Sequence, residues 1–196
     1  MTKILLVGLP KSGTSSFQYL FQVLGMKSYH WDYRHGKKIG TIMKENKENN
    51  RKLLEGIEDW DCITQMDVCW SNSENYWPQI SDLERLYEEN KDCIFILNRR
   101  APEKILTSWK NWGKMDERLY RFNPELIEQK NDEGLLKWFE NHFETVETFF
   151  TKTNRDSKFI SFDIEKDSIE KLKKYIDIKE FKSFPKKNVS VNKKKN

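Results

Sequence analysis

The sequence predicts an α/β fold, a central parallel sheet of about five strands layered between helices, and three observations carry that expectation. Two runs, Ile4-Leu-Leu-Val7 and Cys93-Ile-Phe-Ile-Leu97, are apolar without interruption, as strands buried on both faces must be. Segments of helical apolar spacing alternate with such runs along the chain, the pattern of strand–helix–strand units. Between the first run and the first helix stands Gly8-Leu-Pro-Lys-Ser-Gly13, a turn bracketed by glycines.

In order, the first strand begins at about Lys3 and passes through that turn into a helix. There Phe17, Leu20, Phe21 and Leu24 recur at i, i+3, i+4 and i+7, and Gly25 marks the stop. Unpaired amides at such a helix start carry positive dipole, so with Lys11, Ser12, Thr14 and Ser15 they suit a phosphate. The turn is not a Walker A loop, because Gly13 is followed by Thr14 while the lysine lies inside the turn at position 11. A short aromatic segment, Lys27 to Trp31, predicts a second strand ending near His30. Lys37 to Gly56 is polar and predicts a surface helix or helix pair. Asp61 to Gln65 predicts a third strand, with Asp67 just past its C-terminal end, the edge at which open α/β sheets bind ligands.

Trp70 to Trp77 reads as loop, and Ile80, Leu83 and Leu86 as one helical face. After the strand at 93–97, Pro102 opens a helix on which Ile105, Ser108, Trp109 and Trp112 share a stripe. Ser108 is polar on that stripe, so it either bonds its own backbone or meets a ligand. Pro124 to about Thr151 predicts a helix carrying His142 on its apolar face, where a core histidine is expected. Lys158 to Phe162 gives a fifth strand, and Ser168 caps a helix facing inward through Ile169, Leu172 and Ile176.

At 196 residues and 23.7 kDa the chain fits one domain, residues 1–196, of which 182–196 form a basic tail anchored by Phe184-Pro185. Mean hydropathy is −0.85, yet 13% aromatic residues and spaced apolar runs supply a core. The net charge of +4 is spread among acids, apart from Lys193 to Lys195, which argues against a nucleic-acid partner. Cys62, Cys69 and Cys93 lack zinc-type spacing and read as buried thiols. A strand beginning so early leaves no room for a signal peptide, and no stretch reaches the length of a membrane span, so a cytoplasmic location is expected. On that expectation the glycosylation-type triplet Asn188-Val-Ser190 is idle.

Pro10-Lys-Ser-Gly-Thr14 after a strand resembles the 5'-phosphosulfate loop of sulfotransferases that use PAPS, 3'-phosphoadenosine 5'-phosphosulfate. Arg100 and Ser108, eight apart after a later strand, are similar to that family's pair for the 3'-phosphate. Leu24-Gly25, Tyr29-His30-Trp31, the Asp67 segment and the Phe184-Pro185 to Asn188 ending extend the resemblance over most of the chain. It implies a P-loop NTPase-like three-layer sandwich and transfer of a sulfuryl group from PAPS to a hydroxyl or amine, with PAP as product and no metal required. It further implies that Pro10, Lys11, Ser12, Gly13, Thr14 and Ser15 hold the 5'-phosphate, that Lys11 acts on the bridging oxygen, and that Arg100 and Ser108 hold the 3'-phosphate. Arg99 leaves the register open by one, and the spacing to Ser108 favours Arg100.

The general base stays open between His30 and Asp67, with Glu74 as a loop alternative, since the family uses a histidine or an acid in different branches. The Arg-Lys-Gly segment that covers the nucleotide in cytosolic small-molecule members is absent, and Lys186, Lys187 and Asn188 either replace it or form a solvated tail. Trp109 and Trp112 read as core, while Trp70 and Trp77 are open to a sugar-stacking role. The acceptor's identity, carbohydrate or small molecule among others, and the oligomeric state stay unassigned. Competing functions are a P-loop small-molecule kinase, against which the missing Gly-Lys-Ser/Thr counts, and a non-catalytic nucleotide-binding protein.

Overall fold

The two unbroken apolar runs become adjacent strands at the centre of the molecule. The structure is a computed structural model and describes residues 2–152, 155, 158–178 and 181–187. β1 (Ile4–Leu6) leads into α1 (Thr14–Val23) and β2 (Ser28–His30), followed by α2 (Ile39–Glu48) and β3 (Cys62–Gln65). A small antiparallel hairpin, β4 (Val68–Cys69) and β5 (Asn75–Tyr76), precedes the short helices α3 (Pro78–Ser81) and α4 (Leu83–Glu88). β6 (Ile94–Arg99), α5 (Pro102–Asn111), α6 (Met115–Phe122), α7 (Asp132–Thr151), β7 (Phe159–Asp163) and α8 (Glu170–Lys173) complete the series. The main sheet has five strands in the order β2-β3-β1-β6-β7, and every pairing is parallel.

Alternation along β1 divides the core into two layers. Ile4 and Leu6 pack with Phe17, Leu20 and Phe21 of α1 and with Leu172 of α8. Leu5 and Val7 belong to the opposite layer, with Ile105 and Trp109 of α5 and Phe139, Val146 and Phe150 of α7. Each face thus has its own apolar cover, which is why these strands carry no polar residue at alternate positions. Crossing over β1 between β3 and β6 opens a crevice at the carboxyl end of β1, where the glycine-bracketed turn sits.

Several expectations change. Trp70 to Trp77 is not plain loop, since Trp70 donates its amide to the Glu74 carbonyl at 2.8 Å and a hairpin closes around it. The helix expected over 124–151 begins only at Asp132. Ile127 is extended, and the Asn131 side chain caps the true start by accepting from the Gly134 amide at 2.8 Å. α6 went unpredicted because only Met115 and Leu119 of its eight residues are buried, too few to show a period. The face through Ile80, Leu83 and Leu86 is split at Asp82, whose carboxylate accepts from Lys47, Tyr76 and Ser81 and holds the backbone out of helix.

Elsewhere the elements match. His142 is a core histidine, its Nε2 donating to the Val7 carbonyl at 2.9 Å. The Ser168 hydroxyl accepts from the Glu170 amide, and all three cysteines are free and buried. Phe184 anchors the tail, packing on Phe17 and Phe162 at ring distances of 4.7 and 5.1 Å. Asn188, Ser190 and Lys193 to Lys195 lie outside the described residues. Among the described residues no helix is long and apolar enough to cross a membrane.

Candidate functional site

The turn after β1 is held from below by β6. The Gly8 amide donates to Asn98 Oδ1 at 3.1 Å, and a Cβ at Gly8 would stand 2.3 Å from the Asn98 carbonyl oxygen, so only glycine permits this approach. Asn98 Nδ2 in turn donates to the Ser12 carbonyl and hydroxyl, and the Ser12 hydroxyl donates to the Leu9 carbonyl. Ser12 is therefore a fully buried brace beneath the turn, and its hydroxyl reaches neither cavity described below. Pro10 is braced similarly, its carbonyl accepting from Trp109 Nε1 at 2.9 Å. Lys11 and Gly13 adopt positive φ of 69° and 94°, which tips the chain into α1. The amides of Gly13, Thr14 and Ser15 at that helix start have no acceptor among the described residues.

Beside this turn lies a cavity of about 590 Å³, lined by Gly13, Thr14 and Ser15 on one side and by Arg100 and Ser108 on the other. The β6–α5 junction settles which arginine enters it. Arg99 turns away to pair with Glu147 at 2.7 Å, whereas Arg100 lines the cavity and its Nη1 donates to the Lys11 carbonyl at 3.2 Å. Arg100 Nε is buried without a hydrogen-bond partner, and the Ser108 hydroxyl has none among the described residues. Ser108 thus faces the cavity and does not bond its own backbone. The tail closes the mouth: the Lys187 amide donates to the Ser16 hydroxyl at 3.0 Å, bringing Lys186 and Lys187 to the rim.

A second cavity, about 460 Å³, opens on the far side of Lys11 and is lined by His30, Trp31 and Gln65 with Gln18, Tyr19 and Gln22 of α1. Lys11, Ser15, Trp112 and Lys187 border both cavities. The Lys11 ammonium lies 4.0 Å from the centre of the Trp112 ring, and burial lowers its pKa. Trp112 is accordingly a wall residue and not the core residue expected, because α5 ends at Asn111 and its backbone leaves the helix there.

His30 is oriented by its neighbours. The Thr64 hydroxyl donates to the Tyr29 carbonyl at 3.2 Å, so Nδ1 of His30 is the donor across the 3.0 Å contact to Thr64 Oγ1. That tautomer leaves the Nε2 lone pair facing Ser15 Oγ, 3.4 Å away at the cavity. Burial, and then the charge of Lys11, push the imidazole down to about 4 against the opposing pull of Asp32, so it is neutral at pH 7. Trp31 beside it holds a left-handed backbone, φ 63°, fixed by its amide donating to Gln65 and its carbonyl accepting from Ile39.

Asp67 is not on this wall. It is buried behind Gln65, receiving Gln65 Nε2 at 3.3 Å and Gln79 Nε2 at 3.5 Å, and burial raises its carboxyl to about 7. Glu74 lies in the β4–β5 hairpin and borders neither cavity. Trp77 is core, packed on Trp109 and Trp138, while Trp70 is exposed under the Arg118 guanidinium. Sequence reasoning missed Gln18, Tyr19 and Gln22; their polar side chains on the outer face of an amphipathic helix carry no signal beyond solvent exposure. Among the described residues no group of three or more histidines, cysteines or acids is placed to hold a metal ion.

A five-stranded parallel α/β sheet with a strand–turn–helix junction at its central carboxyl edge is the class that fold and site define. Over residues 3–122 the chain matches the model of the sulfotransferase domain, and it belongs to that family. The matched stretch runs from β1 through α6, so it contains the turn, His30, Arg100 and Ser108. The protein is thereby a transferase of the sulfotransfer class. Comparison with curated proteins returns no match.

Proposed function

We propose that this protein transfers the sulfuryl group of PAPS to a hydroxyl or amine of an acceptor, releasing PAP, with residues 1–196 acting as one domain. The observation that carries the reading is Lys11 standing at the junction of two cavities, one lined by anion-binding groups and the other by a neutral histidine with an open lone pair. The donor fits the first cavity on the groups left unsatisfied there: the free amides at the start of α1, the unpartnered Ser108 hydroxyl and the orphaned Arg100 Nε.

The amides of Gly13, Thr14 and Ser15 hold the 5'-phosphate, with the side chains of Thr14 and Ser15 beside them, while Arg100 and Ser108 hold the 3'-phosphate. Pro10 and Ser12 keep the turn in shape from beneath. On the other side His30 Nε2 takes the proton of the acceptor as its oxygen or nitrogen bonds to sulfur. The sulfur–oxygen bond to the 5'-phosphate breaks, and Lys11 meets the negative charge that collects on the departing oxygen. Lys11 suits that place because its ammonium is partly desolvated and held against an indole face, so its field is less screened than at a surface. Asp67, shielded by Gln65 and Gln79, supports the wall from behind.

The test is thermal unfolding with PAP, with and without Mg-ATP, alongside transfer of labelled sulfate from PAPS to a panel of acceptors. PAP at 100 times its dissociation constant adds about 2.7 kcal/mol of stability. Absence of any PAP shift, or a shift from Mg-ATP alone as large as that from PAP at equal concentration, rejects the donor assignment.

A further inference from the structure

At the end of the donor cavity a carboxylate already sits among the cations. Glu165, on the turn after β7, lies with its Oε1 2.7 Å from Lys104 Nζ and 3.6 Å from Arg100 Nε, and all three residues line the cavity with Ser108. The backbone of this turn is locked, because Asp163 Oδ1 accepts from the amides of Glu165 and Lys166 at 2.9 and 3.2 Å. Burial pushes the Glu165 carboxyl up, but Lys104, the Ala101 amide and Arg100 outweigh it and keep the group ionised, below the usual carboxylate range. The fit is incomplete, since 3.6 Å is too long for a hydrogen bond and Arg100 Nε stays without one. A carboxylate offers two oxygens to this set; a phosphate monoester offers three, enough for Arg100, Lys104 and Ser108 together.

We propose that Glu165 is a resident anion in the 3'-phosphate subsite, and that the phosphate of the donor takes Arg100 and Lys104 over from it. The inference rests on the reading of Arg100 and Ser108 given above, and it adds Lys104 as a third ligand and Glu165 as the residue that sets donor affinity. Glu165 is partly exposed, so its side chain turns to water while its backbone stays fixed; Lys104 is more than half exposed and follows the phosphate on a flexible stem. A dianion and a carboxylate do not share one small cationic site without mutual repulsion, so the exchange lowers donor affinity and speeds PAP release.

Calorimetric titration of PAP and of adenosine 5'-monophosphate, which lacks the 3'-phosphate, into the full chain and two variants tests this. Glu165→Gln should bind PAP roughly five- to tenfold more tightly, the loss of one partly screened like charge, with the monophosphate unchanged. Lys104→Ala should weaken PAP about tenfold and leave the monophosphate within about twofold. Unchanged or weaker PAP binding by a folded Glu165→Gln overturns the resident-anion role, as does an unaffected Lys104→Ala. Wild-type protein binding both nucleotides equally instead rejects the 3'-phosphate site itself, a failure distinct from that of Glu165.

Discussion

The two cavities that meet at Lys11 are built on different principles. The cavity proposed for the donor uses backbone: amides at the start of α1, a turn braced by Asn98 and Trp109, and a junction where Arg100 follows β6 and α5 delivers Ser108. The cavity proposed for the acceptor uses side chains from separate segments, His30 at the end of β2 and Trp31 after it, Gln65 at the end of β3, and Gln18, Tyr19 and Gln22 on α1. On the proposed reading, phosphate recognition rests on short, local geometry that tolerates little change, whereas a wall of protruding side chains is open to substitution. Lys11 borders both cavities.

That contrast breaks most sharply at the shared residue. Lys11→Ala should lower the rate of labelled-sulfate transfer by about a thousandfold while PAP affinity changes far less, since its charge acts on the departing oxygen. A variant that lost PAP binding and transfer equally would make Lys11 a donor-side residue only. The next largest effect separates the two candidate bases. His30→Gln should cost about a hundredfold in single-turnover rate with PAP binding intact, whereas Asp67→Asn should stay within about threefold. The reverse order would move the proton acceptor behind Gln65 and undo the assignment of the acceptor wall.

The smallest effect tests whether the half-buried His30 and the buried His142 differ in role. His142 is also pushed down to about 4, by burial against the opposing bond to the Val7 carbonyl. An unfolded histidine takes up its proton near pH 6.5 and the folded one only near 4, so the stabilisation is complete above 6.5 and is lost as pH falls through that window. For His142 the loss amounts to about 3 kcal/mol by pH 4. Asp67, raised to about 7, works in the opposite sense: its stabilisation is complete below the ordinary carboxylate range and is lost as pH rises from there to about 7. Urea unfolding from pH 4 to 8 should show one fewer proton taken up on unfolding of His142→Gln than of wild type between pH 4 and 6.5. Transfer activity at pH 7 in that variant should stay near the wild-type value, unlike that of His30→Gln.

The sequence alone determined the parallel sheet and the glycine-bracketed turn, while its resemblance to the family singled out Arg100 and Ser108. Sheet and turn depend on residues close together in the chain, apolar runs with no polar interruption and glycines at both ends of a turn. Only the tertiary structure decided that His30 faces the cavity while Asp67 lies buried, that Arg99 turns to Glu147 and leaves the site to Arg100, and that Trp112 is a wall under Lys11. It alone brought Glu165 from the far edge strand to Lys104 and Arg100. The physical reason is common to these cases. Hydrogen bonds and burial between segments tens of residues apart choose the direction of a side chain, and such partners leave no period or local composition for the sequence to display.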